Sequence, residues 1–126
     1  MKKMIFLFLF CAINCFAYAN TRLRTGTYFM SGANSKWSAT GYQGEVVIQQ
    51  QGENYRVTWY VGSSQSQVGI GILNDNILSV SFCDTNNRTF WGVASYRIVG
   101  DGELEGRWTS VDGTGQKPEY LAWQHY

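Results

Sequence analysis

The sequence predicts an all-β protein: an eight-stranded antiparallel up-and-down meander closed into a small barrel, with a two-sheet sandwich as the alternative. Three observations carry this reading. Residues 44–61 alternate apolar and polar side chains on both sides of Gln51-Gly52, which is the pattern of a β-hairpin with one buried face. Short strand-like runs then recur at hairpin spacing, separated by Gly, Asn and Asp, with no helical period after the first 19 residues. Finally, Gly44, Gly69, Gly71, Gly92 and Gly106 fall inside strands. Glycines there weaken a flat sheet but permit the bends that closure needs, and closure removes exposed edges.

In chain order, the first segment reads as an export leader. Lys2 and Lys3 precede an apolar run from Met4 to Ile13, and Ala17-Tyr18-Ala19 gives a small-x-small cleavage pattern. Residues 1–19 are thus expected to be a signal peptide and residues 20–126 a single domain starting at Asn20. The apolar run is shorter than the ~20 residues a spanning helix needs, and neither Cys11 nor Cys15 follows a lipobox-like sequence. The expected address is periplasmic or extracellular, with no transmembrane segment after leader removal.

Thr25 to Met30 reads as a first strand, and Ser31 to Gly41, which lacks periodicity, as a loop. In the hairpin that follows, a two-residue turn at Gln51-Gly52 pairs Ile48 with Tyr55, Val46 with Val57 and Gly44 with Trp59. Strands from Ser66 to Leu73 and Ile77 to Cys83 flank Asn74-Asp75-Asn76. A three-residue loop there, with Asn76 left-handed, pairs Ile72 with Leu78, Ile70 with Val80 and Val68 with Phe82. Strands from Thr89 to Val99 and Glu103 to Ser110 flank Gly100-Asp101-Gly102, pairing Ile98 with Leu104, Tyr96 with Gly106 and Ala94 with Trp108. A glycine-rich turn, Val111 to Gln116, leads into a last strand, Lys117 to Gln124, with Leu121 and Trp123 on one face.

Composition narrows the function classes. Without the leader, Lys+Arg falls from ten to eight against nine Asp+Glu, a net charge near −1. That is no footprint for nucleic acid or for an anionic membrane surface. Cysteine falls from three to one, Cys83, so the domain must rest on its core without a disulfide. The only histidine is His125, near the C-terminus, and Cys83 with His125 is the one conceivable thiol dyad; strands five and eight are not neighbours in a meander. Glu103, Glu105 and Arg107 read as a solvated ladder. Asp75, Asp84, Asp101 and Asp112 fall in or beside turns, where aspartate accepts local backbone hydrogen bonds. The expectation is a protein that is not an enzyme and has no cofactor and no metal.

The aromatic content leads to the core. Tyr55, Trp59, Phe82, Tyr96, Trp108 and Trp123 form the expected inward set, each ring burying roughly 150–250 Å². An eight-stranded barrel is just wide enough to be filled by side chains or to hold one small ligand. With so many rings a filled lumen is the first expectation, and a lumen open to a flat aromatic ligand is the alternative.

Gly26-Thr27-Tyr28 at the first strand and Leu104-Glu105-Gly106-Arg107-Trp108 near the end give an arrangement that resembles the calycin superfamily, the avidin and lipocalin barrels. The polar set with which avidins hold biotin has no residue-by-residue counterpart here, so that activity is not carried over. The run Tyr42-x-Gly44-x-Val46-x-Ile48, Tyr55-x-Val57-x-Trp59 and Gly69-Ile70-Gly71-Ile72-Leu73 is similar to small secreted bacterial proteins labelled fibronectin-binding. That resemblance implies a binding module.

The leading functional expectation is an exported, non-enzymatic module that recognises a protein or glycan through loops and exposed aromatics. The alternatives are a calycin-like carrier of a small apolar ligand in the lumen and a periplasmic inhibitor of a cell-wall hydrolase. The candidate contact residues are Trp37, with Asn34 and Lys36 beside it in the polar loop, and Trp91. A tryptophan among small polar residues is either a lid over the barrel mouth or an exposed anchor, and loops on a rigid barrel commonly carry recognition.

Overall fold

A computed structural model describes residues 22–33, 41–62 and 65–125. Eight antiparallel strands close into a barrel in simple meander order. They are β1 (Gly26–Ala33), β2 (Gly41–Gln51), β3 (Asn54–Val61), β4 (Gln65–Asn74), β5 (Ile77–Asp84), β6 (Trp91–Gly100), β7 (Glu103–Ser110) and β8 (Lys117–Trp123). Closure is made by β1 against β8, with Tyr28 opposite Trp123 and Gly32 opposite Glu119. The barrel, rather than the sandwich, is therefore the architecture. Among the described residues, no helix is long and apolar enough to cross a membrane. The leader expected at residues 1–19 and the Asn20 start lie outside the described residues.

The β6–β7 hairpin has the register its sequence predicts, Ile98 with Leu104, Tyr96 with Gly106 and Ala94 with Trp108, with an irregularity between Ile98 and Gly100 before the turn. Two other registers correct the expectation. The β2–β3 turn is Gly52-Glu53, not Gln51-Gly52, so Ile48 meets Val57, Val46 meets Trp59 and Gly44 meets Val61. Gly52 takes the first loop position with φ 62°, where a two-residue hairpin demands left-handed backbone. A slip of two residues leaves every side chain on its expected face.

The β4–β5 correction is larger. The loop is the two residues Asp75-Asn76, with Asp75 rather than Asn76 left-handed at φ 55°. Leu73 then pairs with Leu78, Gly71 with Val80 and Gly69 with Phe82. A shift of one residue turns β4 over, leaving Ile70 54% and Ile72 65% exposed. The reason is space. A Cβ at Gly69 would lie 2.8 Å from Val80, and one at Gly71 3.0 Å from Leu78 and 3.1 Å from Val80. The large side chains of β5 fill this side of the lumen, so β4 presents glycines inward and isoleucines outward.

The two ends of the barrel differ. The β2–β3, β4–β5 and β6–β7 connections gather at one end as two-residue turns, and residues 23–25 with Trp123 close it. There Leu23 is buried and Arg24 grips Asp101 through Nε at 2.5 Å and Nη2 at 2.9 Å. The guanidinium also lies 4.5 Å above the Trp123 ring, whose Nε1 donates to the Thr25 carbonyl. Above this floor Tyr28, Met30, Val46, Ile48, Val57, Leu78, Ile98, Leu104 and Leu121 fill the lumen. The longer β1–β2, β3–β4, β5–β6 and β7–β8 connections all leave from the opposite end. That end is where the packing changes character.

Candidate functional site

The site is one row of residues running sideways around the barrel. Glu119 on β8 pairs with Gly32 of β1 on one side and Gly106 of β7 on the other. Gly32 in turn pairs with Tyr42 of β2, and Gly106 with Tyr96 of β6. The row reads Tyr42, Gly32, Glu119, Gly106, Tyr96. Each tyrosine lies across the glycine beside it: a Cβ at Gly32 would overlap the Tyr42 ring, and one at Gly106 the Tyr96 ring. With both flanking positions empty of side chain, the two phenols reach Glu119 from two strands away.

Glu119 is 4% exposed, and both its carboxylate oxygens accept from ring donors. Tyr96 Oη donates to Oε1 at 2.5 Å, Trp59 Nε1 donates to Oε1 at 3.0 Å, and Tyr42 Oη donates to Oε2 at 2.7 Å. Behind them Trp108 Nε1 donates to Tyr42 Oη at 2.7 Å, and Trp59 Nε1 also lies 3.1 Å from Tyr96 Oη. Burial pushes the Glu119 carboxyl above the usual carboxylate range, while the bonds from Tyr42, Tyr96 and Trp59 pull it back down. Burial, and then the nearby carboxylate, raise the hydroxyls of Tyr42 and Tyr96. Both phenols therefore stay protonated and act as donors at neutral pH.

Above this network opens a lumenal cavity of about 370 Å³, lined by Tyr42, Trp59, Val61, Gln67, Phe82, Phe90, Ala94, Tyr96, Trp108 and Glu119. Phe82 is the hub of its wall, 5.7 Å from Trp59, 6.3 Å from Phe90 and 6.1 Å from Trp108 between ring centroids. Lys117 stands 4.5 Å over the Trp108 ring. The lumen is thus packed with apolar side chains at the closed end and hollow, aromatic and acidic at the open end. A wider depression of about 870 Å³ lies outside the barrel over β1, β2, β7 and β8, but its glutamates, Glu45, Glu103 and Glu105, are exposed, and Glu105 is paired with Arg97.

All six rings expected to point inward, Tyr55, Trp59, Phe82, Tyr96, Trp108 and Trp123, belong to the core or pack against it. Of the candidate contact residues, Trp91 opens β6 on the outer wall, 49% exposed and paired with Cys83. Asn34, Lys36 and Trp37 lie outside the described residues; Ala33 and Gly41, which flank their segment, pair at the open end. Cys83 lies near that end, its thiol 3.4 Å from the Asp84 carbonyl, whereas His125 packs edge-on against Trp123 at the closed end. The two residues of the conceivable dyad are therefore at opposite ends of the barrel. Asp84 accepts from the backbone N–H groups of Asn86 and Asn87 and shapes the β5–β6 turn.

Sequence reasoning missed Glu119. The signal was available: Leu121 and Trp123 mark the inner face of β8, and two residues back along the same alternation stands Glu119. Tyr42 follows from Gly44, Val46 and Ile48 in the same way. Neither a scan against protein-family models nor a search of the curated proteins finds a match to this chain.

Proposed function

We propose that this protein is a non-enzymatic binding protein whose barrel holds one small, flat ligand at its open end, against Glu119. One observation supports this above the others: a buried carboxylate stands at the base of a hollow lined by aromatic rings. Taking a carboxylate out of water is costly, and apolar residues of similar volume commonly serve a core as well or better. A carboxylate placed there and held by three ring donors, with a fourth behind them on Tyr42, has the form of a prepared recognition group. The cavity volume falls within the roughly 300–1,000 Å³ of small-molecule sites, which combine apolar walls with a few converging polar groups. The leader-like residues 1–19 add export to this reading, and so a periplasmic or extracellular ligand.

Crystals soaked with a library of one- and two-ring fragments test the proposal. Hits should cluster in the lumen against Trp59, Phe82 and Glu119. Hits confined to the outer wall would overturn it.

A second reading, recognition of a protein partner through exposed aromatics, has its own observation. Trp91, Val93, Ile70 and Ile72 share the outer wall of β4–β6, separated by the small polar Ser79, Ser81 and Ser95. Exposed apolar side chains interspersed with small polar ones are the surface such a partner would contact.

A further inference from the structure

We infer that the lumenal ligand presents a cationic nitrogen, an ammonium or amidinium, to Glu119 and lays an apolar ring against Phe82 and its aromatic neighbours. This inference rests on the lumen-binding reading and adds the chemical class of the ligand.

The argument starts from which hydrogen-bonding positions remain. A phenol has one proton, and an indole nitrogen has one. Tyr96 Oη and Tyr42 Oη direct theirs to Glu119, Trp59 Nε1 to Glu119 and Tyr96, and Trp108 Nε1 to Tyr42. All four ring donors of the cavity are therefore occupied inside the network. What remains is acceptor capacity: Oε2 of Glu119 receives one bond, from Tyr42, and has a second lone-pair position. Gln67 is the one lining residue whose amide adds a donor. A ligand that arrives as an acceptor finds almost nothing to bond, whereas one that arrives as a donor finds a carboxylate.

Charge points the same way. Among the described residues the ion pairs are Arg24 with Asp101 and Arg97 with Glu105, so neither involves Glu119, and Lys117 lies on the Trp108 ring. An anionic ligand would be repelled. The faces of Trp59, Phe82, Phe90 and Trp108 carry the negative side of the ring quadrupole, which attracts cations. A carboxylate behind aromatic faces, with the donors turned inward, is complementary to a positively charged nitrogen on a flat apolar body.

The test uses matched probes on the intact domain at pH 8: benzylamine and benzamidine as cations, benzyl alcohol as the neutral isostere and benzoate as the anion. Binding is read by calorimetry and by quenching of tryptophan emission. The cations should bind about tenfold or more tighter than benzyl alcohol, with benzoate weakest. In Glu119→Gln that preference should disappear. The ranking in the wild-type protein stands by itself if the variant fails to fold. Equal or tighter binding of benzyl alcohol or benzoate would overturn the cation while leaving the lumen as the site. No lumenal binding by any of the four would overturn both.

Discussion

Gly106→Ala adds a single methyl group on a strand of the barrel wall, yet the row around Glu119 makes it a severe change. The new Cβ would overlap Tyr96 Cδ1 and lie 2.7 Å from Tyr96 Cε1 and 2.8 Å from the Ser95 carbonyl oxygen. Ordinary contact begins near 3.4 Å, so the ring must retreat by more than about 0.7 Å. Tyr96 is fully buried and its hydroxyl is fixed to Glu119 at 2.5 Å, so the retreat breaks or weakens that bond. Overpacking of this kind costs about 1–3 kcal/mol. Loss of a hydrogen bond to a charged group costs about 1.5–3 kcal/mol, and alanine returns about 0.5–1 kcal/mol over glycine within a strand. The expected net loss is about 2–4 kcal/mol in urea titration with an unchanged m value. In a Tyr96→Leu background, which has no ring to displace, the same substitution should cost less than about 1 kcal/mol. A loss below about 0.5 kcal/mol in the wild-type background, or equal losses in both backgrounds, would refute the idea that Gly106 exists to admit the Tyr96 ring.

Three further outcomes follow from the same geometry. Burial raises the Glu119 carboxyl above its ordinary 4.5, so between that value and the raised one the folded protein binds more protons than the unfolded chain. Stability attributable to Glu119 therefore falls as pH rises through this window and is constant above it. Urea titrations at successive pH should show wild type losing ground to Glu119→Gln as pH rises, and a difference that moves the other way contradicts burial as the dominant cause. Tyr42→Phe removes the Oε2 bond and strands Trp108 Nε1, and should cost about 1.5–3 kcal/mol in the same assay. Trp91→Ala, on the outer wall, should change stability by less than about 0.5 kcal/mol and leave lumenal binding intact; weakened lumenal binding in that variant would mean that the outer wall and the lumen act together.

The fold was legible where small and large residues face each other across an unambiguous turn. Tyr96 opposite Gly106 and Ala94 opposite Trp108 admit one good register, and the barrel has it, although Gly100 joins β6 and the turn is Asp101-Gly102 alone. The β2–β3 hairpin slipped by two because either Gln51-Gly52 or Gly52-Glu53 places a glycine in the turn, and both keep the same faces. In β4 hydrophobicity pointed the wrong way. Ile70 and Ile72 alternate with glycines, and the apolar set looks like the buried one until Leu78 and Val80 of β5 are known to occupy the space. Glu119 was hidden for a related reason. Its charge suggests solvent, and the partners that make burial tolerable stand 23, 60 and 77 residues away on three other strands. Only closure of the barrel brings them together.

Occupation of the lumen is tested most directly by the indole N–H signals in a ¹H–¹⁵N correlation spectrum during titration with benzylamine. Trp59 and Trp108 line the cavity with their indole protons engaged in the Glu119 network, whereas Trp91 lies on the outer wall and Trp123 at the closed end. A ligand seated against Glu119 should shift the Trp59 and Trp108 signals in a saturable way and leave those of Trp91 and Trp123 in place. Saturable shifts at Trp91 with none at Trp59 or Trp108 would contradict a lumenal site.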